Sequence, residues 1–168
     1  MFTQNPQLFP MSVETSLLAH LSNLQLQIPM REATSPLPHK IIGVAVIWNE
    51  RGQILIDKRP AKGLLGGLWE FPGGKLEANE TIKECIRREI REELAIEVEV
   101  GSHLITLEHA YTHFRVTLNV YHCRHLSGEP QPLECDEIRW VTLDEVEQFP
   151  FPKANEKIIA ALKTTRTS

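Results

Sequence analysis

The sequence predicts an α+β domain, and three stretches carry that reading. Ile41 to Trp48 (IIGVAVIW) is a nearly continuous apolar run, the pattern of a strand buried on both faces. Phe114, Val116, Leu118 and Val120 alternate with polar residues, as in a strand with one covered face. Ile82, Ile86, Ile90 and Leu94 recur at helical spacing within Thr81 to Leu94.

The other elements follow in order. Five of the eleven prolines (Pro6, Pro10, Pro29, Pro36 and Pro38) precede the first glycine, Gly43. In that region Ser12 to Leu26 reads as a short helix, and Ile28 to Lys40 as an extended connector, because each proline disfavours a helical predecessor. The expected division is therefore an N-terminal extension, residues 1–39, and a main domain, residues 40–168. After the first strand, Asn49-Glu50-Arg51-Gly52 turns the chain into a second strand, Gln53 to Asp57. A glycine-rich loop, Pro60 to Gly67, leads into Leu68-Trp69-Glu70-Phe71-Pro72-Gly73-Gly74 and then the helix. Two long strands are expected at Ile96 to Tyr111 and His113 to Arg124. A short strand follows at Glu137 to Val141, with helices at Leu143 to Phe149 and Ala154 to Lys163. Trp48, Trp69 and Trp140 sit in apolar strand contexts and are expected in the core.

Composition excludes several classes. The chain has 168 residues, 42% hydrophobic and 24% charged, which suits one globular domain and excludes disorder, collagen and coiled coil. No apolar run reaches a membrane span, and no basic-then-apolar leader opens the chain. Cys85, Cys123 and Cys135 form neither a disulfide framework nor a zinc pattern, in keeping with a reducing cytoplasm. A net charge of −4 argues against stable nucleic-acid binding. It leaves a nucleotide substrate open, since a bound divalent cation reverses the local field.

The helix carries the chemistry. With Glu89 set at zero and roughly 100° per residue, the isoleucine–leucine stripe spans roughly 20° to 140°. Glu93 falls at about 40° and Glu92 at about −60°, while Arg87, Arg91 and Glu84 lie opposite. Three carboxylates thus overlap or border the stripe that packs on the core. Such groups repel one another and resist ionisation unless a cation compensates. A hard divalent ion, Mg²⁺ or Mn²⁺, held by Glu89, Glu92 and Glu93 is the economical account. Arg88 is a candidate partner for one of these glutamates. Glu80 could cap the helix, assist the metal through water, or hold Arg88. Gly73-Gly74, just ahead of the helix, permits close backbone approach.

Gly74, five residues, Glu80, seven residues, then Arg88-Glu89-Ile90-Arg91-Glu92-Glu93-Leu94-Ala95-Ile96 resembles the Nudix box. One position departs from it: Ala95 stands where the motif has glycine, at a cost of about 1 kcal/mol at the helix end. The resemblance covers Lys40 to Lys163 and implies an α/β/α sandwich around a mixed sheet. Leu68 to Lys75 (LWEFPGGK) and Phe151-Pro152-Lys153-Ala154-Asn155-Glu156 look most like MutT-type 8-oxo-dGTP diphosphatases. Arg59 to Trp69, the connector, and Tyr111-Thr112-His113-Phe114 also resemble the C-terminal domain of MutY-type adenine DNA glycosylases.

The resemblance implies a Mg²⁺-dependent nucleoside triphosphate pyrophosphohydrolase. Water attacks the β-phosphorus of 8-oxo-dGTP, giving 8-oxo-dGMP and pyrophosphate, and the cell's nucleotide pool is kept clean. It implies Glu89, Glu92, Glu93 and Arg88 in catalysis, with Gly73 joining the glutamates at the metal. A fourth acid is expected from Glu134, Asp136 or Glu137, with Glu137 preferred because it abuts a strand. Arg59, Phe71, Gly73, Gly74, Lys75 and Asn155 are the expected substrate contacts. Asn155 offers a donor and an acceptor that match a purine edge, although asparagine there also suits a helix cap. Phe71 suits either base packing or the core, and Thr112 and His113 are candidate base contacts. A monomer in the cytoplasm, with a nucleotide as its only partner and no membrane association, completes the expectation. Two other readings stay open: a non-catalytic 8-oxoguanine recognition module, and a Nudix hydrolase of another nucleotide.

Overall fold

Val44, Ala45, Val46 and Ile47 are each no more than 5% exposed, so the first apolar run is a strand covered on both sides. The structure, a computed structural model, describes residues 35–166. The expected helix at Ser12 to Leu26 lies outside them. The strand is β1 (His39–Trp48), followed by β2 (Ile54–Lys58), β3 (Trp69–Glu70) and β4 (Gly73–Lys75). Then come α1 (Ile82–Leu94), β5 (Glu97–Ala110), β6 (Arg115–Ser127), β7 (Glu137–Val141) and α2 (Lys153–Arg166). All seven strands form one sheet, running β3-β2-β1-β6-β5, with β4 paired to β1 and β7 to β2. β1 and β6 are parallel from His39↔Arg115 to Trp48↔Arg124, and the other pairs are antiparallel. The fold is α+β, an α/β/α sandwich around a mixed sheet.

Strand alternation assigns each residue to a layer. Ala45, Ile47 and Leu55 face α1 and pack with its Ile86, Ile90 and Leu94. Val44, Val46, Ile54 and Ile56 face the other way, onto Ile158, Ile159 and Leu162 of α2. Trp69 is buried, while Trp48 and Trp140 are half-buried against the two cores. Gly43 of β1 lets α1 come close, because a Cβ there would lie 2.9 Å from Ile86 Cγ1.

Thr81 caps α1 through a reciprocal box with Glu84, and Ala95 closes it in the left-handed region at φ 56°. The departure from glycine therefore falls where an L side chain is strained.

Two expectations are corrected. The helix expected at Leu143 to Phe149 is a single 3-10 turn, Val146–Gln148. Thr142 and Glu145 exchange cap-like bonds at its start. Phe149, however, precedes Pro150 and is extended, so the turn cannot propagate. The stretch leading from the glycine-rich loop to α1, read as irregular, contains β3 and β4.

Candidate active site

Gly73 and Gly74 place β4 directly against β1, with Val44↔Gly73 and Gly43↔Gly74 paired. A Cβ on Gly73 would sit 2.1 Å from Gly43 O, and one on Gly74 would sit 2.1 Å from Glu89 Cδ. The glycine pair thus serves two purposes. One glycine permits strand pairing, and the other leaves room for a carboxylate of α1.

Arg88 organises the first turns of α1. Its Nε and Nη2 donate to both oxygens of Glu80, at 3.0 and 2.6 Å. Nη1 donates to Glu89 at 2.7 Å and Glu92 at 3.3 Å, and Nη2 also donates to Lys75 O at 3.0 Å. Of the three roles open to Glu80, holding Arg88 is the one formed. This fork holds the Glu80 carboxyl down to about 2, helped by the Glu77 backbone N–H. Lys75 therefore enters the site through its carbonyl.

Glu93 is different. It is half-buried and has no arginine. Burial, followed by the nearby acids Asp57, Glu89, Glu134 and Glu70, pushes its carboxyl up to about 9. Asp57 on β2 is 5% exposed and is the one buried charged side chain among the described residues. Burial and the neighbouring Glu70 push it up to about 8. Asp57, Glu70, Glu93 and Glu134 line one cavity of about 220 Å³ on the α1 side. Among the described residues, no three His, Cys, Asp or Glu side chains are already gathered as a metal-ligand set. Glu89 and Glu92 turn to Arg88 instead. The donor set still fits a hard cation: it is nearly all oxygen, and two of its acids, Asp57 and Glu93, have no arginine partner, so burial holds back their ionisation until a cation compensates.

Sequence reasoning missed Asp57 and Glu70. The available signal was alternation: Asp57 ends an apolar strand and shares the α1 face with Leu55, and it pairs with Glu70 across β2 and β3. Glu137, preferred as the fourth acid, pairs with Lys58 in the β2–β7 register. That register puts it on the opposite face from Asp57, and its carboxylate accepts from Arg139 at 2.6 Å. Asp136 accepts from Ala61 N at 3.2 Å, which leaves Glu134 as the acid of that loop lining the cavity.

A second cavity, of about 280 Å³, opens on the α2 side. Its walls include Phe71, Tyr111, Phe114, Asn155 and Lys40. Phe71 is 4% exposed and stacks on Phe151 at 5.5 Å, so it serves the core and lines the cavity as well. Asn155 lies in the first turn of α2, not at its cap, and its Oδ1 accepts from Phe71 N at 3.3 Å. Thr112 and His113 are exposed at the β5–β6 turn, and their neighbours Tyr111 and Phe114, stacked at 4.7 Å, line the wall instead. Arg59, Glu70 and Gly73 line both cavities. Arg59 donates to Glu70 at 2.7 Å and to Leu64 O at 3.1 Å. An anionic chain could therefore pass from one cavity to the other beside a guanidinium.

The NUDIX domain family matches residues 43–161. The chain belongs to the Nudix family. Its α1 is the Nudix helix, and the α/β/α sandwich is the family's fold. A curated relative, the CTP pyrophosphohydrolase of Escherichia coli K12, is 33% identical over 125 residues, covering 74% of this chain and 93% of that protein. The 8-oxo-dGTP diphosphatase of the same strain is 35% identical over 122 residues, covering 73% and 95%. The crystal structure of a MutT Nudix hydrolase from Burkholderia pseudomallei superposes with a TM-score of 0.66 at 29% identity, covering 73% of this chain and 97% of that one.

Proposed function

We propose that this Nudix hydrolase converts 8-oxo-dGTP to 8-oxo-dGMP and pyrophosphate with the help of Mg²⁺, which Mn²⁺ can replace. The carrying observation is the pair of adjoining cavities, one acidic and one aromatic, joined at Arg59, Glu70 and Gly73. The relative named 8-oxo-dGTP diphosphatase supports the choice of nucleotide.

In this reading the base enters the aromatic cavity. Asn155 Oδ1 is engaged with Phe71 N, so its amide N–H₂ faces the task of donating to O6 of the purine. The triphosphate passes Arg59 into the acidic cavity. Glu93, Glu89 and Glu92, with Glu134 and the Gly73 carbonyl, are the groups that would hold the cation. When bound, the cation neutralises phosphate charge so that water can approach phosphorus. Arg88 fixes Glu89 and Glu92 in place. Glu93 is engaged by no arginine, and its carboxylate is the base suited to take the proton of the attacking water. The protein is read as a cytoplasmic monomer. Among the described residues, no helix is long and apolar enough to cross a membrane.

Pyrophosphate release from 8-oxo-dGTP, dGTP and CTP with Mg²⁺ tests the reading, for the wild type and Glu93→Gln. The expected result is preference for 8-oxo-dGTP, abolished in the variant. Preference for CTP, in line with the other relative, would replace the nucleotide but keep the chemistry. Silence toward all three, with retained binding of 8-oxoguanine DNA, would overturn hydrolysis in favour of a recognition module.

A further inference from the structure

Asp57 is an anomaly that hydrolysis by the helix motif does not require. It lies on β2, outside the Nudix box, and is 5% exposed. Among the described residues its carboxylate accepts no hydrogen bond and forms no ion pair. No side-chain oxygen sealed from solvent lacks a partner, so the Asp57 oxygens are not sealed in the core. They open to the acidic cavity, which Glu93 and Glu134 also line. Its registered neighbours are Glu70 on β3, another acid, and Ile138 on β7, which offers no charge. Arg59 is the nearby cation, but its Nη1 is committed to Glu70 and its Nε to Leu64 O.

A buried carboxyl without a partner destabilises the fold. Two opposed acids on paired strands add repulsion. An aspartate serving only structure would cap a turn or meet a backbone N–H, and this one does neither. Cys135 is the one soft donor lining the cavity. The remaining donors are hard oxygens, suited to Mg²⁺ or Mn²⁺.

We propose that Asp57 is an additional ligand of a divalent cation, so that β2 extends the metal site of this chain beyond the acidic helix, toward Glu93 and Glu134. The inference rests on the reading of the α1-side cavity as a cation site. It adds a carboxylate from the sheet to those from the helix and the β7 loop, which strengthens cation binding before any nucleotide arrives.

The test is Mn²⁺ binding to the nucleotide-free full chain, followed by electron paramagnetic resonance. The wild type, Asp57→Asn and Glu93→Gln are compared, and melting temperatures are taken with and without Mn²⁺. Asp57→Asn is expected to weaken Mn²⁺ binding about 10- to 100-fold or to remove one bound ion per chain. Its melting temperature without metal should hold or rise, and its gain on adding Mn²⁺ should shrink. A merely structural Asp57 predicts the reverse: a lower metal-free melting temperature and unchanged Mn²⁺ affinity. Wild-type Mn²⁺ binding in Asp57→Asn, with loss in Glu93→Gln, overturns the role of Asp57 and leaves the helix as the metal site. Absence of Mn²⁺ binding in the wild type overturns both.

Discussion

The two cavities flanking the sheet are built by opposite means. The acidic one takes Glu93 and Leu94 from one helix, on which Arg88, Glu89 and Glu92 stand within two turns of Glu93, and adds Asp57, Glu70 and Glu134. The aromatic one has no such centre. It gathers Lys40 from β1, Phe71 after β3, Tyr111 and Phe114 from the β5–β6 turn, and Asn155 from α2. Phosphate chemistry demands several like charges side by side, and a helix supplies that spacing locally. Shape recognition of a base needs only surfaces that converge in space, and those come from anywhere in the chain.

The contrast can be broken most sharply at Glu93. Glu93→Gln should lower kcat about 10²- to 10³-fold for every nucleotide tested, leaving the ranking of substrates intact. A variant that reordered the substrates would show that the two cavities are not separable.

A second, large effect belongs to the acidic side alone. Asp57 and Glu93 have folded values of about 8 and about 9, above the ordinary 3.8 and 4.5. The unfolded chain releases these protons first, so their contribution to stability falls as pH rises from about 4 to about 9. Without divalent cations the melting temperature should drop by several degrees between about pH 5 and about pH 9. Saturating Mg²⁺ should remove most of that drop. A flat metal-free profile would show that the acids are already compensated.

The glycine pair separates stability from chemistry. Gly73→Ala forces a Cβ into the β1 backbone and should cost about 3 kcal/mol by chemical denaturation. Gly74→Ala meets only the end of the Glu89 side chain, so it should lower kcat about tenfold with little loss of stability.

On the aromatic side, Asn155→Ala should lower kcat/KM for the preferred nucleotide about 10- to 30-fold while changing the poorest substrate little. Equal losses on all substrates would make Asn155 a brace for Phe71 rather than a reader of the base. The smallest effect is at Ala95, which lines neither cavity. Ala95→Gly should stabilise the fold by about 1 kcal/mol without altering turnover, because φ 56° suits glycine.

Legibility in the sequence follows the same division. The strand at β7 matched to the residue, and α1 was readable because its stripe and caps are local. β3 and β4 were not, since strands of two and three residues have too few positions to show a period. The three box glutamates were visible as a cluster, yet their separate environments were not. Arg88 takes Glu89 and Glu92, whereas Glu93 meets acids from β2 and the β7 loop, which only the folded register brings close. Glu137 illustrates the point: it abuts the right strand, but pairing with Lys58 turns it to the wrong face.

The wall formed by Arg59, Glu70 and Gly73 makes the site a ruler. A ligand anchored by its base on one side of the sheet has a set length of chain with which to round the edge and reach the acids on the other. In the proposed binding mode the bond presented for cleavage is chosen by counting atoms outward from the ring, so a nucleotide with a shorter tail is expected to be left uncut even when its base fits.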